Sequence, residues 1–246
     1  ANSSFLRGPA YAPARIRLMG SEGSANFGTE NGPDLAEGTH FTDLGDLAFE
    51  DSSPEKAHQT IKNAVAGQLA QGRRLLCLGG DHSTSGPVIE AHAEAIESLH
   101  VLQFDAHTDL YNNFDNTPYS HASPFARLME KGLLKSLTQV GLRTLTAHQR
   151  EQAQRFGVKM VEMKEFSTDF LTGLQGPLYI SFDMDVLDPA FAPGVSHHEP
   201  GGISTRQALD MLHQIKVPVV GADVMEYNPV RDTHNLTAMV AWKIMK

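Results

Sequence analysis

Three short apolar runs in this chain break off directly into carboxylate and imidazole side chains, and this repeated junction restricts both the fold and the chemistry open to it. Arg74 to Leu78 is followed by Gly79-Gly80-Asp81-His82-Ser83, and His100 to Phe104 by Asp105-Ala106-His107-Thr108-Asp109. Leu178 to Asp183 continues into Met184-Asp185. Runs of this length, rich in Leu, Val, Ile and Phe, read as strands buried on both faces, the pattern of a parallel sheet covered by helices. The strands of such a sheet share one carboxyl edge, and ligands of open α/β folds gather there.

The rest of the chain supports that architecture. Leu137 to Leu142, Val158 to Met163 and Val219 to Val224 read as further strands. Pro54 to Gln71, Ser85 to Leu99, Pro124 to Lys135, Ala147 to Phe156 and Thr205 to Ile215 read as helices, several opening on a Ser, Thr or Pro start signal. Alternation of the two kinds of segment predicts one doubly wound α/β domain over residues 1–246. Gly20 to Gly38, rich in Gly and Asn, reads as a long surface loop. Polar residues before Phe5 and a helix-like run, Leu236 to Met245, at the very end suggest a chain trimmed at both ends from a longer parent.

Charge and composition narrow the function classes. The formal charge is −9, with acidic residues scattered and no basic stripe, so nucleic acid is not expected as a partner and small cations suit better. The single cysteine, Cys77, sits in an apolar run and reads as a buried hydrophobe, leaving no disulfide framework within one chain. No stretch approaches the roughly 20 apolar residues that span a bilayer. The expectation is a cytoplasmic protein without membrane contact.

The residues at the strand ends define the chemistry. Alternate residues of an extended segment share a face, so Asp105, His107 and Asp109 point together, as do Asp183 and Asp185. Four carboxylates brought together in a partly buried site repel one another unless cations compensate them. Lys and Arg are absent from the residues that follow these strands, so metal is the economical answer. Oxygen-rich ligation with two imidazoles and no thiolate suits Mn²⁺ better than a structural zinc site, and ligand type leaves Zn²⁺, Fe²⁺, Co²⁺ and Ni²⁺ open. His82, Asp105, His107, Asp109, Asp183 and Asp185 are too many for one ion with an open position, but they suit two ions sharing carboxylates. Two ions about 3.5–4 Å apart can lower the pKa of a shared water and make a hydroxide nucleophile, which points to hydrolysis.

These segments, with Val186-Leu187-Asp188-Pro189 after the third, resemble the three manganese signatures of the ureohydrolases, the arginase and agmatinase family, in matching order from about Phe5 to the end. The resemblance implies a three-layer α-β-α sandwich with a mainly parallel central sheet, two Mn²⁺ ions, and a homo-oligomer, commonly a trimer or hexamer. It implies that His82, Asp105, Asp109 and Asp183 hold one ion and Asp105, His107, Asp183 and Asp185 the other, with Asp105 and Asp183 bridging. Glu226, which follows the last strand, resembles the carboxylate that pairs with a substrate guanidinium, a fork that fits a carboxylate bidentately. His121 resembles the family's proton-shuttling histidine. Asp109 would take the hydroxide proton and pass it to the departing amine, releasing urea.

The substrate's far end is less constrained. Gly141-Leu142-Arg143 is followed by Thr144-Leu145-Thr146, without the acidic residue that arginases carry there, and Tyr111-Asn112-Asn113-Phe114 stands in place of their Asn/Ser-rich loop. On that reading agmatine, giving putrescine, ranks first. Guanidinobutyrate or another guanidino acid follows, with Arg143, His197 or His198 meeting its carboxylate, and arginine and formimidoylglutamate rank lower. His197 is placed at the substrate entrance, whereas His58, His92 and His148 fall in helix-like segments and read as surface residues. The rival readings are a deacetylase-like amide hydrolase with one zinc and an inactive metal-binding relative.

Overall fold

The central strands are buried on both faces, and alternate side chains enter two separate cores beneath two helical layers. The computed structural model describes residues 5–21, 25–50 and 53–246. Its strands are β1 (Leu75–Leu78), β2 (His100–Phe104), β3 (Ser136–Leu142), β4 (Lys159–Glu162), β5 (Leu178–Asp183) and β6 (Val219–Met225). Its helices are α1 (Ala12–Ser21), α2 (Pro54–Leu69), α3 (Ser85–Ala95), α4 (Pro124–Glu130), α5 (Ala147–Phe156), α6 (Thr205–Gln214) and α7 (Leu236–Met245). The strand order is β1-β6-β5-β2-β3-β4, with every neighbouring pair parallel.

Leu102, Phe104, Ile180 and Phe182 face one core, where α1, α6 and α7 contribute Ile16, Met211 and Trp242. Val101 and Tyr179 face the other, with Ile61 of α2, Ile89 of α3, Phe125 of α4 and Ala153 of α5. Phe104 and Phe182 lie side by side with ring centroids 5.3 Å apart, each fully buried. Burial of such rings contributes roughly 2–3 kcal/mol each. The sandwich has the expected three layers, and Gln103, Asp105, Ser181 and Asp183 fall by parity on the face covered by α2 to α5.

Local signals set the element ends. Thr146 with Gln149, and Ser204 with Gln207, form reciprocal capping boxes at the starts of α5 and α6. Gly157, left-handed at φ 66°, closes α5. Two helices stop short of the sequence reading: α3 ends before Ile96, which is extended, and α4 ends before Gly132 at φ 63°. The expected loop from Gly20 to Gly38 is only partly a loop. Gly20 belongs to the last turn of α1, where any β-carbon would strike the Trp242 ring, and residues 22–24 lie outside the described residues. His92 corrects the surface expectation, being fully buried on the inner side of α3 against Tyr179, with ring centroids 4.8 Å apart. Among the described residues no helix is long and apolar enough to cross a membrane.

Candidate metal centre

The carboxyl ends of β1, β2, β5 and β6 converge, and each turn there is held by its own side chains. After β1, a β-carbon on Gly79 would strike the Met225 sulfur and the Thr84 hydroxyl, so any larger residue would have to displace the Met225 side chain. Asp81 then caps the short helical turn His82–Thr84 by accepting from the Ser83 amide. After β2, the Asp105 amide donates to the Val140 carbonyl at 2.9 Å, extending the ladder by one residue. The His107 amide donates to Asp105 Oδ1 at 2.6 Å and the Ala106 amide to Asp185 Oδ1 at 3.1 Å. After β5, the Asp185 amide donates to Asp183 Oδ1 at 2.8 Å. Asp105, Asp183 and Asp185 are therefore each aimed by a main-chain donor.

His82 Nδ1 lies 3.1 Å from Asp105 Oδ2, 3.0 Å from Asp109 Oδ2 and 3.0 Å from Asp183 Oδ2. It makes a directed hydrogen bond with none of them. A buried ring nitrogen within 3.1 Å of three carboxylate oxygens, with a directed hydrogen bond to none, is placed as a metal ligand would be. His107 Nδ1 lies 3.4 Å from Asp105 Oδ1 and 3.0 Å from Asp185 Oδ2. Two groups of donor atoms close enough to hold an ion result, His82 with Asp105 and Asp109, and Asp105 with His107 and Asp185. Asp105 belongs to both and offers a different oxygen to each. All six residues read from the sequence are thus brought together, with Asp183 beside the first group through Oδ2.

The electrostatics show how strongly this cluster attracts positive charge. Burial, with the Asp185 and Asp105 charges, drives the Asp183 pKa well above the usual carboxylate value. Burial and the Asp105 charge push Asp109 up to about 6. Burial opposes protonation of His82, but Asp105, Asp109 and Asp183 more than offset it and raise its pKa well above the usual histidine value. His107 is raised for the same reason by Asp185 and Asp105. Protons satisfy such a cluster only partly, and divalent ions fit the oxygen-rich donor set better.

A second set of residues surrounds the centre. Glu226 is buried, and its Oε1 accepts from the His82 amide at 2.9 Å. Its Oε2 is buried without a hydrogen-bond partner, and burial with the nearby Asp81 charge raises its pKa well above the usual carboxylate value. His121 Nδ1 lies 3.8 Å from Glu226 Oε1. The His121 ring stacks on His197 with centroids 5.1 Å apart, and His197 lies edge-on to His107 at 5.9 Å. Burial lowers the pKa of both His121 and His197. Both rings therefore lie beside the centre.

Arg143 and His198 are committed elsewhere. Arg143 spends its donors on the carbonyls of Glu199, Gly141, Val186, Asp185 and Leu187, at 2.6–3.3 Å. It is a clamp on the turn after β5, with none of its N–H groups left for a substrate anion. His198 is bound to the Pro193 carbonyl at 2.8 Å. Sequence reasoning missed Gln103, Ser181 and Asp223, all fully buried one layer beneath the ligands. The available signal was a lone polar residue two positions before a ligand, as Gln103 is before Asp105 and Ser181 before Asp183.

Comparison with known proteins agrees with this geometry. The model of the Arginase family matches residues 1–246. The chain belongs to the arginase family. It is 46% identical over 261 residues to the protein named Arginase 1, mitochondrial, of Arabidopsis thaliana, covering 100% of this chain and 76% of that protein. It is 33% identical to an agmatinase of Bacillus subtilis, covering 99% of this chain and 85% of the relative. Among solved structures, an arginase from Medicago truncatula superposes with a TM-score of 0.92 at 42% identity, covering 99% of this chain and 81% of that one. This member of the arginase family is a ureohydrolase, and its Asp/His cluster is consistent with a dinuclear, metal-dependent amidinohydrolase acting on small guanidino compounds.

Proposed function

We propose that this enzyme hydrolyses arginine to ornithine and urea at a two-manganese centre held by His82, Asp105, His107, Asp109, Asp183 and Asp185. The observation that carries the reading is the buried, unpartnered Glu226 Oε2 beside two groups of metal-type donors. A guanidinium N–H directed at that oxygen supplies the missing donor and neutralises a carboxylate that burial disfavours. Manganese held by these residues would supply Lewis acidity and would bring the pKa of a bound water down toward neutrality. Asp109 would accept the proton released at the nucleophile and hand it to the departing amine, and His121 would exchange protons between the site and solvent. His197, stacked on His121, limits how that ring can turn.

Arginine replaces agmatine as the first choice. The plant arginases stand at 42–46% identity, against 33% for the Bacillus subtilis agmatinase. Agmatine stays as the second reading because Thr144 to Thr146 supply no carboxylate for an α-amino group. Guanidinobutyrate follows as a third reading; Arg143 and His198 are committed elsewhere, so neither meets its carboxylate or that of arginine. The cytoplasmic expectation rests on composition alone, and the mitochondrial names of plant relatives weigh against it. Steady-state urea release from the manganese-loaded enzyme tests the substrate. The expected kcat/KM for arginine exceeds that for agmatine and guanidinobutyrate by about tenfold or more. A higher value for agmatine reverses the order, and no urea from any of them ends the ureohydrolase reading.

A further inference from the structure

One layer beneath the ligands, a row of polar residues crosses the sheet. Gln139 of β3 pairs in register with Gln103 of β2, Gln103 with Ser181 of β5, and Ser181 with Asp223 of β6. All four side chains are buried to the last few per cent or completely. A buried carboxylate such as Asp223 is costly unless it serves as an acceptor, and here both its oxygens do. Ser181 Oγ donates to Asp223 Oδ1 at 2.7 Å, and Tyr179 OH donates to Oδ2 at 2.9 Å. His82 Nε2 lies 3.0 Å from the same Ser181 Oγ.

Donor counting then decides the histidine. A serine hydroxyl has one hydrogen, and an ionised carboxylate can only accept. With that hydrogen given to Asp223, Ser181 Oγ must accept from His82, so Nε2 carries a proton and Nδ1 is the nitrogen left to face a metal ion. Nδ1 is the atom 3.0–3.1 Å from three carboxylate oxygens. We infer that Asp223, acting through Ser181, is a positioning residue that fixes the tautomer and ring orientation of His82 for metal binding. The Tyr179 hydroxyl holds the far side of Asp223. Tyr179 is itself seated against His92, and a β-carbon on Gly221 would collide with His92 Nε2. The relay runs His92, Tyr179, Asp223, Ser181, His82, and none of its first four members touches substrate.

This inference rests on the proposed metal centre, so the test separates the two. Manganese binding is measured by chelator competition and by electron paramagnetic resonance on wild type, Ser181→Ala, Asp223→Asn and the double variant, each first checked for wild-type folding by metal-free melting. In wild type, two ions bind. In Ser181→Ala, the dissociation constant of one ion rises about 10–100-fold, the range for lost outer hydrogen bonds to a ligand histidine, while the other changes less than about threefold. The spin-coupled pair signal gives way to that of a single ion at low manganese. The double variant is no weaker than Ser181→Ala, because Asp223 acts through the serine. Equal loss at both sites marks general loosening and overturns the inference, as do two unchanged sites in folded Ser181→Ala. A wild type that binds no manganese overturns the metal centre itself. Ser181→Ala is a small change, so it carries the test if Asp223→Asn fails to fold.

Discussion

Glu226 and Asp109 are held at φ 61° and 50°, in the left-handed region that side chains with a β-carbon avoid. Each such residue costs on the order of 1–3 kcal/mol, and both stand at the centre, so their backbone strain belongs with the chemistry. Glu226→Gln keeps the shape and removes the charge, and kcat/KM should fall roughly 100-fold, the loss of a charge-assisted pair worth about 3 kcal/mol. Glu226→Gly also releases the backbone and an unpartnered buried carboxylate. Urea release should vanish while the metal-free protein melts at or above wild type; a lower melting temperature would count against stored strain. The candidate ligands were legible because Asp105, His107 and Asp109 crowd the end of an apolar run with no cation nearby in sequence, although β2 ends at Phe104 and the turn beyond it, not strand alternation, aims them. Ser181, Gln103 and Asp223 were not, because a single polar residue inside an apolar run announces neither its partner nor the strand that will lie beside it. Arg143 misled for a related reason: an arginine near a site looks like an anion reader until its carbonyl partners are known.

At the scale of elements, the strands and most helices could be read from apolar runs and start signals, since the central strands β2, β3 and β5 are buried almost throughout and several helices carry local caps. Boundaries drifted where tertiary packing decides, as at Ile96 and Gly132. Helix α1 was overlooked because Pro13 and Gly20 interrupt it, although Ala12, Ile16 and Met19 keep a helical spacing and are all buried. His92 was misplaced because the inward face of α3 is set by the sheet beneath it. The β2–β3 edge of the centre depends on Gly141, at φ 100°, where a β-carbon would collide with Val186 and lie 3.0 Å from the Asp105 carbonyl oxygen. Gly141→Ala should destabilise by about 2–4 kcal/mol, combining backbone strain with overpacking. Denaturant unfolding of the metal-free protein checks this, and a change below about 1 kcal/mol would show that the contact relaxes at little cost.

For the whole molecule, the centre links stability to pH and to metal. His82, His107, Asp183 and Glu226 all have folded pKa values raised well above their usual ones, so these four groups hold more protons in the folded chain than in the unfolded one, opposed near pH 6 by His58, His92, His100, His121 and His197, which burial lowers. The stabilisation from the four raised groups is full below the unfolded values, about 4 for the carboxylates and 6.5 for the histidines, and is lost as pH rises through the folded values. The metal-free protein should therefore melt at lower temperature at about pH 8.5 than at about pH 6. Manganese should reverse the trend, since ligands give up protons to the ion and affinity rises with pH. Calorimetric melts across that range would contradict this if the metal-free protein gained stability with alkali. The most direct test of the two-ion ureohydrolase centre is urea release from arginine while metal-free enzyme is titrated with Mn²⁺. The account predicts a rate that climbs until two equivalents are bound and then levels. Saturation at a single equivalent, or no urea with both ions bound, would contradict it.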